Sequence, residues 1–265
     1  MTNSRKLALV TGASSGIGLE LALQFAENDF DLVLCAEDVE LTAAAARCEQ
    51  SGAQVTVVQQ DLRTSQGVET LYTAVGALGR PLDAAALNAG IGRGGVFWET
   101  PLVDLLSVVD LNVRSTLHLA RLLLPDMVAR NEGRMLFTSS IASTMPGTYE
   151  AVYNASKSFV QALAEALDEE LKDTEVTVTS LMPGPTDTEF FERAEMEDTR
   201  LGQSKKDDPA KVAKMGFEAL MAGKDRVVAA SLRTKSQEAM AKVLPDRAKA
   251  KMHSKMAEPE GADQS

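Results

Sequence analysis

A tyrosine and a lysine placed four residues apart, Tyr153 and Lys157, carry the clearest chemical signal in this sequence. On a helix, residues at this spacing lie one above the other on the same face. A tyrosine of ordinary pKa is a poor base, and lowering that pKa by about three units requires roughly 4 kcal/mol. One ammonium at about 4 Å, at an effective dielectric of about 20, supplies about that much. We therefore expect Tyr153 to exchange a proton with a substrate oxygen, unless the pair only marks an exposed helix face.

A serine is predicted to lie beside this pair. Ser140 ends the strand predicted at Arg134–Ser139, and the carboxyl edge of an open α/β sheet is where ligands bind. Tyr153 follows across a short loop, so the Ser140 hydroxyl can hold a substrate oxygen beside the phenol. The alternative is that Ser139 and Ser140 merely terminate a strand.

Asn112 is a polar residue in an otherwise apolar helical pattern. It lies within the helix predicted at Leu102–Arg130, and its apolar neighbours are Val108, Leu111, Val113 and Leu117. A buried amide needs hydrogen-bond partners, so Asn112 could kink the helix or hold a water next to Lys157. A plain surface position is the alternative.

A glycine-rich turn, Thr11–Gly18, joins the first predicted strand to the first predicted helix. A turn this tight needs residues without Cβ, and the helix that it opens presents free N–H groups and the positive end of its dipole to a pyrophosphate. In a chain of alternating strands and helices, this is the dinucleotide-binding position. A purely structural turn is the alternative.

Acidic and small residues end two further strands. Glu37 follows the strand Asp31–Cys35, about twenty residues beyond the turn, where an acidic side chain meets the adenosine ribose. A carboxylate accepts hydrogen bonds from the ribose hydroxyls and repels a 2′-phosphate, so Glu37 favours NAD(H) over NADP(H). Alternatively, Glu37 only supplies a first-turn charge to the next helix. The run Asn88–Gly90 ends the strand Asp83–Leu87, where small residues let the backbone approach a ribose or adenine.

The elements that must position these residues alternate along the chain. Short apolar runs predict seven strands: Leu7–Val10, Asp31–Cys35, Gln54–Gln59, Asp83–Leu87, Arg134–Ser139, Val176–Leu181 and Arg226–Ala229. Helical periodicity predicts helices at Gly16–Asn28, Val39–Ser51, Ser65–Leu78, Leu102–Arg130, Glu150–Lys172 and Pro209–Ala222. Such alternation is typical of a parallel sheet covered on both faces by crossover helices. We therefore predict an α/β fold with one doubly wound domain over residues 1–230.

Two regions depart from this rhythm. A polar loop at 186–208 follows the sixth strand and could cover a site. Residues 231–256 are predicted to form a basic amphipathic helical extension, and 257–265 a fraying tail. The stretch Arg226–Met256 holds eight Lys or Arg against only Glu238 and Asp246. This is either a solvated helical face or a surface that docks on an acidic subunit neighbour or an anionic membrane.

Composition excludes several classes of protein. With 265 residues, 45% hydrophobic and 25% charged, the chain can bury one sizeable core and is neither disordered, collagen-like nor disulfide-stapled. A net charge of −11 argues against a nucleic-acid partner. Cys35 and Cys48 form no metal-ligand cluster, so no metal site is predicted. Without a signal peptide or a long apolar stretch, a soluble cytoplasmic protein with no transmembrane segment is expected.

With these residues assembled, the chain resembles the short-chain dehydrogenase/reductase family from Lys6 to about Val228. Six of the family's motifs occur in order: TGxxxGIG at Thr11–Gly18, NAG at Asn88–Gly90, the helical Asn at Asn112, the strand-end Ser at Ser140, YxxxK at Tyr153–Lys157 and PGxxxT at Pro183–Thr188. The resemblance implies a seven-stranded parallel Rossmann-type sheet in the order 3-2-1-4-5-6-7. It also implies an NAD(P)-dependent oxidoreductase that acts on an alcohol or carbonyl group.

The resemblance further implies roles for individual residues. Asn112, Ser140, Tyr153 and Lys157 would form a catalytic tetrad, in which Tyr153 is the acid or base, Lys157 also holds the nicotinamide ribose and Asn112 orders a proton-relay water. Contacts to the phosphates and adenosine half are implied for Gly12, Ser14, Ser15 and Ile17, and contacts to the adenine for Asp61 and Leu62. Asn88, Ala89 and Gly90 would line the ribose, and Pro183, Gly184, Thr186 and Thr188 the nicotinamide carboxamide.

Cofactor preference and assembly follow from the same resemblance. Many relatives carry an Arg in place of Glu37 that reads the 2′-phosphate, so this departure puts NADP(H) in doubt. Family members generally form dimers or tetramers, which implies a homodimer or homotetramer. An apolar stripe contributes to that contact or to the intrachain core: Met240, Val243, Leu244, Met252 and Met256.

The substrate is expected to be an apolar small molecule with an alcohol or carbonyl group. The residues that favour this are Met145, Phe97, Trp98, Phe190 and Phe191. A cofactor-binding sensor or scaffold without turnover is the main alternative function, but it has no use for a proton-transfer pair. A methyltransferase would not need YxxxK together with PGxxxT, and a sugar-nucleotide epimerase would normally require a longer C-terminal domain.

Overall fold

The fold is a seven-stranded parallel sheet in a computed structural model that describes residues 5–229 and 245–258. Its strands are β1 Lys6–Thr11, β2 Phe30–Ala36, β3 Val55–Gln59, β4 Ala84–Leu87, β5 Gly133–Thr138, β6 Val176–Pro183 and β7 Arg226–Ala229. They are ordered β3-β2-β1-β4-β5-β6-β7. Both the predicted α/β class and the predicted strand order are confirmed.

Helices cover both faces of the sheet. They are α1 Gly16–Glu27, α2 Leu41–Glu49, α3 Ser65–Ala77, α4 Leu102–Val109, α5 Thr116–Arg130, α6 Ala151–Glu170, α7 Phe190–Arg193, α8 Pro209–Met221 and α9 Asp246–Ala257. Within β1, Ala8 and Val10 join the core layer under α1, α2 and α8. Leu7 and Leu9 join the opposite layer under α3, α5 and α6. Alternate side chains of one strand thus serve two separate cores, as a sheet buried on both faces requires.

The helix predicted at Leu102–Arg130 is not continuous, which corrects the sequence interpretation. A π-helical segment, Asp110–Ser115, separates α4 from α5. Wider turns of this kind are frequently found at functional sites. Here the segment carries Asn112, whose carboxamide is bonded to the backbone of Ile91. A π-helical turn holds one residue more than an α-helical turn, and hydrophobic periodicity did not indicate this insertion.

The strand order reverses beside β1, and this reversal opens a cleft at the carboxyl edge of the sheet. β1 pairs with β2 on one side and with β4 on the other, so the loops after β1 and β4 leave the sheet in different directions. Ligands of open α/β sheets bind at such a switch point. The predicted site residues that follow β1 to β6 all lie at this edge.

The C-terminal region contributes α9 to this edge. α9 overlaps the extension predicted at 231–256 and ends one residue beyond it, at Ala257, which is buried. Met240, Val243 and Leu244 of the predicted apolar stripe lie outside the described residues. In the described part of the chain, none of the helices combines the length and apolar content of a membrane crossing.

Candidate active site

One long cleft runs along the carboxyl edge from the glycine-rich turn to α9. Its walls contain all of the predicted cofactor-binding residues and three of the four predicted catalytic ones. These are Gly12, Ser14, Ser15, Ile17, Glu37, Asp61, Leu62, Asn88, Ala89, Gly90, Ser140, Tyr153, Lys157, Pro183, Gly184, Thr186 and Thr188. The structure therefore brings residues from six strand ends and from α6 into one cleft, whereas Asn112 lies behind its wall.

The glycine-rich turn leaves no room for side chains. Gly12 adopts a left-handed conformation, φ +65°, and a Cβ there would lie 3.0 Å from the Cα of Ala89. A Cβ on Gly18 would lie 1.9 Å from the Gly12 carbonyl oxygen. Within the described structure, Ser15 precedes α1 without a side-chain cap and the first turn holds no acidic residue. The first N–H groups of α1 are thus free to bind an anion.

Asn88 connects this turn to the catalytic helix. Its Nδ2 donates to the Thr11 carbonyl oxygen at 3.1 Å, and its Oδ1 accepts from the Thr138 hydroxyl at 3.0 Å. The Thr138 carbonyl oxygen accepts from Lys157 Nζ at 2.9 Å. One polar chain therefore links β1, β4, β5 and α6 beneath the cleft and fixes the turn relative to Lys157.

The end of β2 carries more charge than predicted. Glu37 forms an ion pair with Arg63, whose Nε also donates to Asp61 Oδ1 at 2.8 Å. That hydrogen bond lowers the pKa of the Asp61 carboxyl. Asp38 accepts from the Ser14 hydroxyl at 2.9 Å through Oδ2, and its buried Oδ1 has no hydrogen-bond partner among the described residues. Neither Asp38 nor Arg63 is among the residues predicted from the sequence, although Asp38 directly follows Glu37.

Tyr153 is buried in the first turn of α6, with 9% of its surface exposed. Burial raises the pKa of its phenol above the ordinary value, the hydrogen bond with Ser140 opposes that rise, and the nearby charge of Glu150 adds to it. The expectation that Lys157 brings the pKa of Tyr153 toward neutrality is wrong in this structure. Lys157 Nζ lies 5.9 Å from the ring centroid, and desolvation of the phenolate is the largest cause of the shift in the pKa of Tyr153. At neutral pH the phenol is protonated and can donate.

Lys157 is buried one helical turn beyond Tyr153. Burial lowers the pKa of its ammonium to about 8, so the charged form predominates at pH 7 and is lost above pH 8. A Cβ on Gly90 would lie 3.0 Å from Nζ, so a residue without a side chain in the loop after β4 leaves room for the ammonium. Lys157 therefore lies between the sheet edge, the Gly90 backbone and the phenol.

Ser140 does more than terminate β5. Its Oγ accepts from the Ala142 N–H at 3.1 Å, which caps the 3₁₀ turn Ile141–Thr144. The same hydroxyl is hydrogen-bonded to Tyr153. A substrate oxygen that reaches the phenol would therefore also reach a second hydroxyl held in place by its own turn.

Asn112 is buried, with 1% exposure, so the alternative of a surface position is wrong. Its Oδ1 accepts from the Ile91 N–H at 2.9 Å, and its Nδ2 donates to the Ile91 carbonyl oxygen and to Ser156 Oγ, both at 2.9 Å. The carboxamide thus fixes the loop after β4 against α6. The proton-relay role that the family resemblance implies for Asn112 stays a prediction.

The insertion after β6 lies over the cleft beside Tyr153. The ring of Phe190 is centred 5.1 Å from that of Tyr153 and 5.5 Å from that of Phe191. A Cβ on Gly92 would lie 2.5 Å from the Phe190 ring, so the loop after β4 approaches this aromatic closely. Apolar rings therefore form the wall of the cleft around Tyr153 and Phe190. This part is called the substrate end, and the part around the glycine-rich turn is called the cofactor end.

Two of the aromatic residues expected at this end do not line it. Phe97 is 57% exposed and Trp98 is 83% exposed, while Met145, Phe190 and Phe191 do line the cleft. The loop after β4 turns outward beyond Gly95, which has φ +128°, and carries both rings to the surface. Their place in the wall is taken by Met252, His253 and Met256 of α9, of which the sequence indicated only the two methionines as part of an apolar stripe.

The cofactor end of the cleft fits a dinucleotide. The closely packed Gly12 and Gly18, the free N–H groups of α1 and the unpartnered Asp38 oxygen together offer donors for phosphates and an acceptor for ribose hydroxyls. In residues 5–229 and 245–258, no three His, Cys, Asp or Glu side chains are grouped so that they could hold a metal ion.

Comparison with known proteins gives the family. A family model described as short chain dehydrogenase matches residues 6–199. This chain belongs to the short-chain dehydrogenase/reductase family. A curated relative, 1-deoxy-11-beta-hydroxypentalenate dehydrogenase of Streptomyces exfoliatus, is 36% identical over 188 residues, which cover 69% of this chain and 68% of that protein.

Solved structures of family members superpose on most of the chain. A short-chain dehydrogenase/reductase from Burkholderia phymatum in complex with NAD has a TM-score of 0.81 and 27% identity, and the match covers 91% of this chain and 93% of that one. A short-chain dehydrogenase from Sphingobium yanoikuyae in complex with NADPH has a TM-score of 0.81 and 26% identity, with 98% and 100% coverage. The family is thus confirmed, and the chain is a dehydrogenase or reductase whose structural neighbours hold either nicotinamide cofactor.

Proposed function

We propose that this short-chain dehydrogenase/reductase transfers a hydride between a nicotinamide cofactor and the alcohol or carbonyl carbon of an apolar small molecule. Tyr153 gives or takes the accompanying proton. The observation that carries the proposal is the buried Tyr153 hydroxyl, hydrogen-bonded to Ser140 and one turn from Lys157, in the cleft that begins at the glycine-rich turn.

The protonation states support carbonyl reduction in particular. Because burial raises the pKa of Tyr153, the phenol is present as the acid at neutral pH and can protonate a developing alkoxide. Ser140 holds the same oxygen from the other side. The charged Lys157 favours the phenolate that remains after transfer, because opposite charges attract strongly in a buried site.

The nicotinamide, when bound, supplies or accepts the hydride. This chain's residues would bind and orient it. The free N–H groups at the start of α1 would hold the pyrophosphate, and Lys157 would reach a ribose near Gly90. Pro183, Gly184, Thr186 and Thr188 line the part of the cleft between the sheet edge and Phe190, where they would orient the ring.

NAD(H) is the proposed cofactor. Glu37 and Asp38 place two carboxylates at the end of β2, which would accept hydrogen bonds from ribose hydroxyls and repel a 2′-phosphate. Arg63 is a nearby cation with the opposite effect, and it is engaged by Glu37 and Asp61. Its pairing with both carboxylates leaves it poorly placed to read a phosphate.

A homo-oligomer is also proposed, with α4 at the contact. α4 packs against α6 and exposes Leu102, Val103 and Leu106, which are 69%, 71% and 50% exposed. Adjacent exposed apolar side chains on one short helix are typical of a protein interface. A second copy of this chain is proposed to cover this face of α4. Light scattering should show a dimer or tetramer, and Leu106→Asp should weaken that association. A monomeric wild type would contradict the proposed oligomer.

The function is tested by paired fluorescence titrations with NADH and NADPH, followed by a panel of carbonyl and alcohol substrates of increasing apolar size. The expected result is tighter binding of NADH and cofactor-dependent turnover of apolar carbonyls. Absence of binding by either cofactor would contradict the proposal. Binding without turnover of any substrate would favour a cofactor-binding sensor instead, and tighter NADPH binding would overturn the role of Glu37.

A further inference from the structure

His253 and Glu150 make a buried side-chain contact between α9 and the start of α6. His253 Nε2 lies 3.3 Å from Glu150 Oε2, and the two residues are only 3% and 2% exposed. His253 Nδ1 lies 3.0 Å from the Thr148 carbonyl oxygen, and because a carbonyl oxygen only accepts, Nδ1 carries a proton. Thr148 Oγ1 donates in return to the Ala250 carbonyl oxygen at 3.0 Å. Both nitrogens of the imidazole are thus used in joining α9 to the chain before α6.

The residue between these two contacts is held in an unfavourable conformation. Tyr149 has φ +66°, the left-handed region that bulky side chains rarely adopt. Its ring packs against the cluster around Phe191 and Ala257, and its hydroxyl lies 3.4 Å from Glu258. Such a conformation persists only where surrounding contacts enforce it, and here α9 supplies several of them.

This junction lies next to the reacting groups. Glu150 directly precedes α6, and its carbonyl oxygen accepts from the Asn154 N–H at 3.0 Å, so it begins the turn that carries Tyr153. Two further residues of α9, Met252 and Met256, line the substrate end of the cleft. The Met256 carbonyl oxygen also accepts from the Leu201 N–H at 2.9 Å, which ties α9 to the insertion after β6.

We propose that His253 is a positioning residue: paired with Glu150 and Thr148, it clamps α9 onto the start of α6, fixes Tyr153 in the cleft and closes the substrate end with Met252 and Met256. This inference rests on the proposed function of Tyr153. It makes the C-terminal helix part of the reacting site, although it lies beyond all of the family motifs in this sequence.

The two partners of the clamp are expected to respond unequally to substitution. His253→Leu leaves the Glu150 carboxylate buried without its partner, which is strongly destabilising. Glu150→Gln removes that charge and leaves an amide that can hydrogen-bond the imidazole either through its NH₂ group or through its oxygen, so it is mild. The double variant His253→Leu/Glu150→Gln removes the buried charge and should regain much of the stability, but it still lacks the bond to Thr148.

The test measures backbone hydrogen exchange of the full chain with saturating NADH, in peptides that cover 148–158 and 246–258. The matched control is His118→Leu, since His118 is the other of the two histidines in the chain. His253→Leu should raise exchange about tenfold or more in both peptides, lower the unfolding midpoint by about 5–10 °C and lower kcat about tenfold. The NADH dissociation constant should stay within about twofold of wild type, because the cofactor end is built from other residues.

Several outcomes would overturn the clamp. Faster exchange confined to 246–258, with kcat unchanged, would show that His253 only anchors its own helix. A double variant as unstable as His253→Leu would contradict the charge pairing. If His253→Leu does not fold, hydrogen exchange at 148–158 is measured in the double variant instead, and exchange at the wild-type rate there would overturn the proposal. If exchange and midpoint respond as expected while wild type turns over no substrate, the clamp stands and the proposed function fails.

Discussion

The two ends of the cleft are built in different ways. The cofactor end consists of strand-end turns between Thr11 and Gly90, where close backbone packing at Gly12 and Gly18 leaves free N–H groups. The substrate end is assembled from the start of α6, the insertion after β6 and α9, which are far apart in sequence. One end is therefore specified by short local motifs, and the other by contacts that only the complete fold creates.

Their electrostatics differ as well. At the cofactor end, charged groups such as Glu37 and Arg63 are half-exposed and paired. At the substrate end, Tyr153 and Lys157 are buried, and burial alone moves both of their pKa values toward the uncharged forms. The cofactor end is thus suited to binding a charged molecule from solvent. The substrate end is suited to proton transfer in a place shielded from water.

The largest effect on cofactor binding is expected from closing the cofactor end. Gly18→Ala places a methyl group 1.9 Å from the Gly12 carbonyl oxygen, so the turn must open and its N–H groups must move. NADH affinity should fall by at least about 100-fold, on the order of 3 kcal/mol. Gly76→Ala is the matched control, because a Cβ there meets nothing within 4 Å. Unchanged NADH titration of the Gly18 variant would show that the turn does not hold the cofactor.

At the substrate end, the charge of Lys157 should set an upper pH limit for carbonyl reduction. With its pKa lowered to about 8, Lys157 is charged below pH 8 and loses its charge as the pH rises through that value. Wild-type kcat/KM should therefore fall about tenfold per pH unit above 8. Lys157→Met should be slow at every pH and should lack this fall above pH 8. Lys172→Met, at an exposed position just beyond the end of α6, should retain it. A wild-type profile flat to pH 10 would remove Lys157 from the mechanism.

Cofactor choice should change by a smaller factor. Glu37→Gln removes one of two carboxylates and releases Arg63 from its ion pair, so a 2′-phosphate is repelled less. The ratio of NADPH to NADH affinity should rise about tenfold, or roughly 1.4 kcal/mol. Glu27→Gln, at the far end of α1, should leave the ratio unchanged. A ratio that does not move in the Glu37 variant would locate the discrimination elsewhere, with Asp38 as the next residue to replace.

The smallest effect is expected where α9 lines the substrate end. Met256→Ala should widen the apolar wall and raise kcat/KM for the largest carbonyl of the panel relative to the smallest by about threefold to tenfold. NADH affinity should not change. Met221→Ala, on α8, provides the comparison. Equal specificity in the two variants would place α9 outside the substrate site.

How well the sequence predicts each part of this molecule depends on whether that part is specified by neighbouring residues or by residues far apart in the chain. Each strand is predicted to within two residues, because short apolar runs and the turn residues that bound them are local signals. The motif residues reach the cleft because strand ends share one edge. The break at Asp110–Ser115 is not predictable from periodicity, since it depends on the Ile91 backbone that Asn112 bonds.

Contacts across long stretches of chain are the part that the sequence does not show. The pairing of His253 with Glu150 joins residues about a hundred positions apart, and neither belongs to a motif. The outward course of Phe97 and Trp98 depends on backbone angles of a loop. The protonation of Tyr153 depends on how completely the fold removes water around it, which the spacing to Lys157 does not reveal.

The central claim is that the Tyr153 hydroxyl transfers the proton. It is tested most directly by measuring kcat/KM for carbonyl reduction in wild type, Tyr153→Phe and the control Tyr72→Phe, with the NADH dissociation constant determined on the same samples. We expect Tyr153→Phe to lose at least about 1000-fold in kcat/KM while NADH binding stays within about threefold of wild type, and Tyr72→Phe to match wild type in both. Turnover by Tyr153→Phe comparable to wild type would contradict the account.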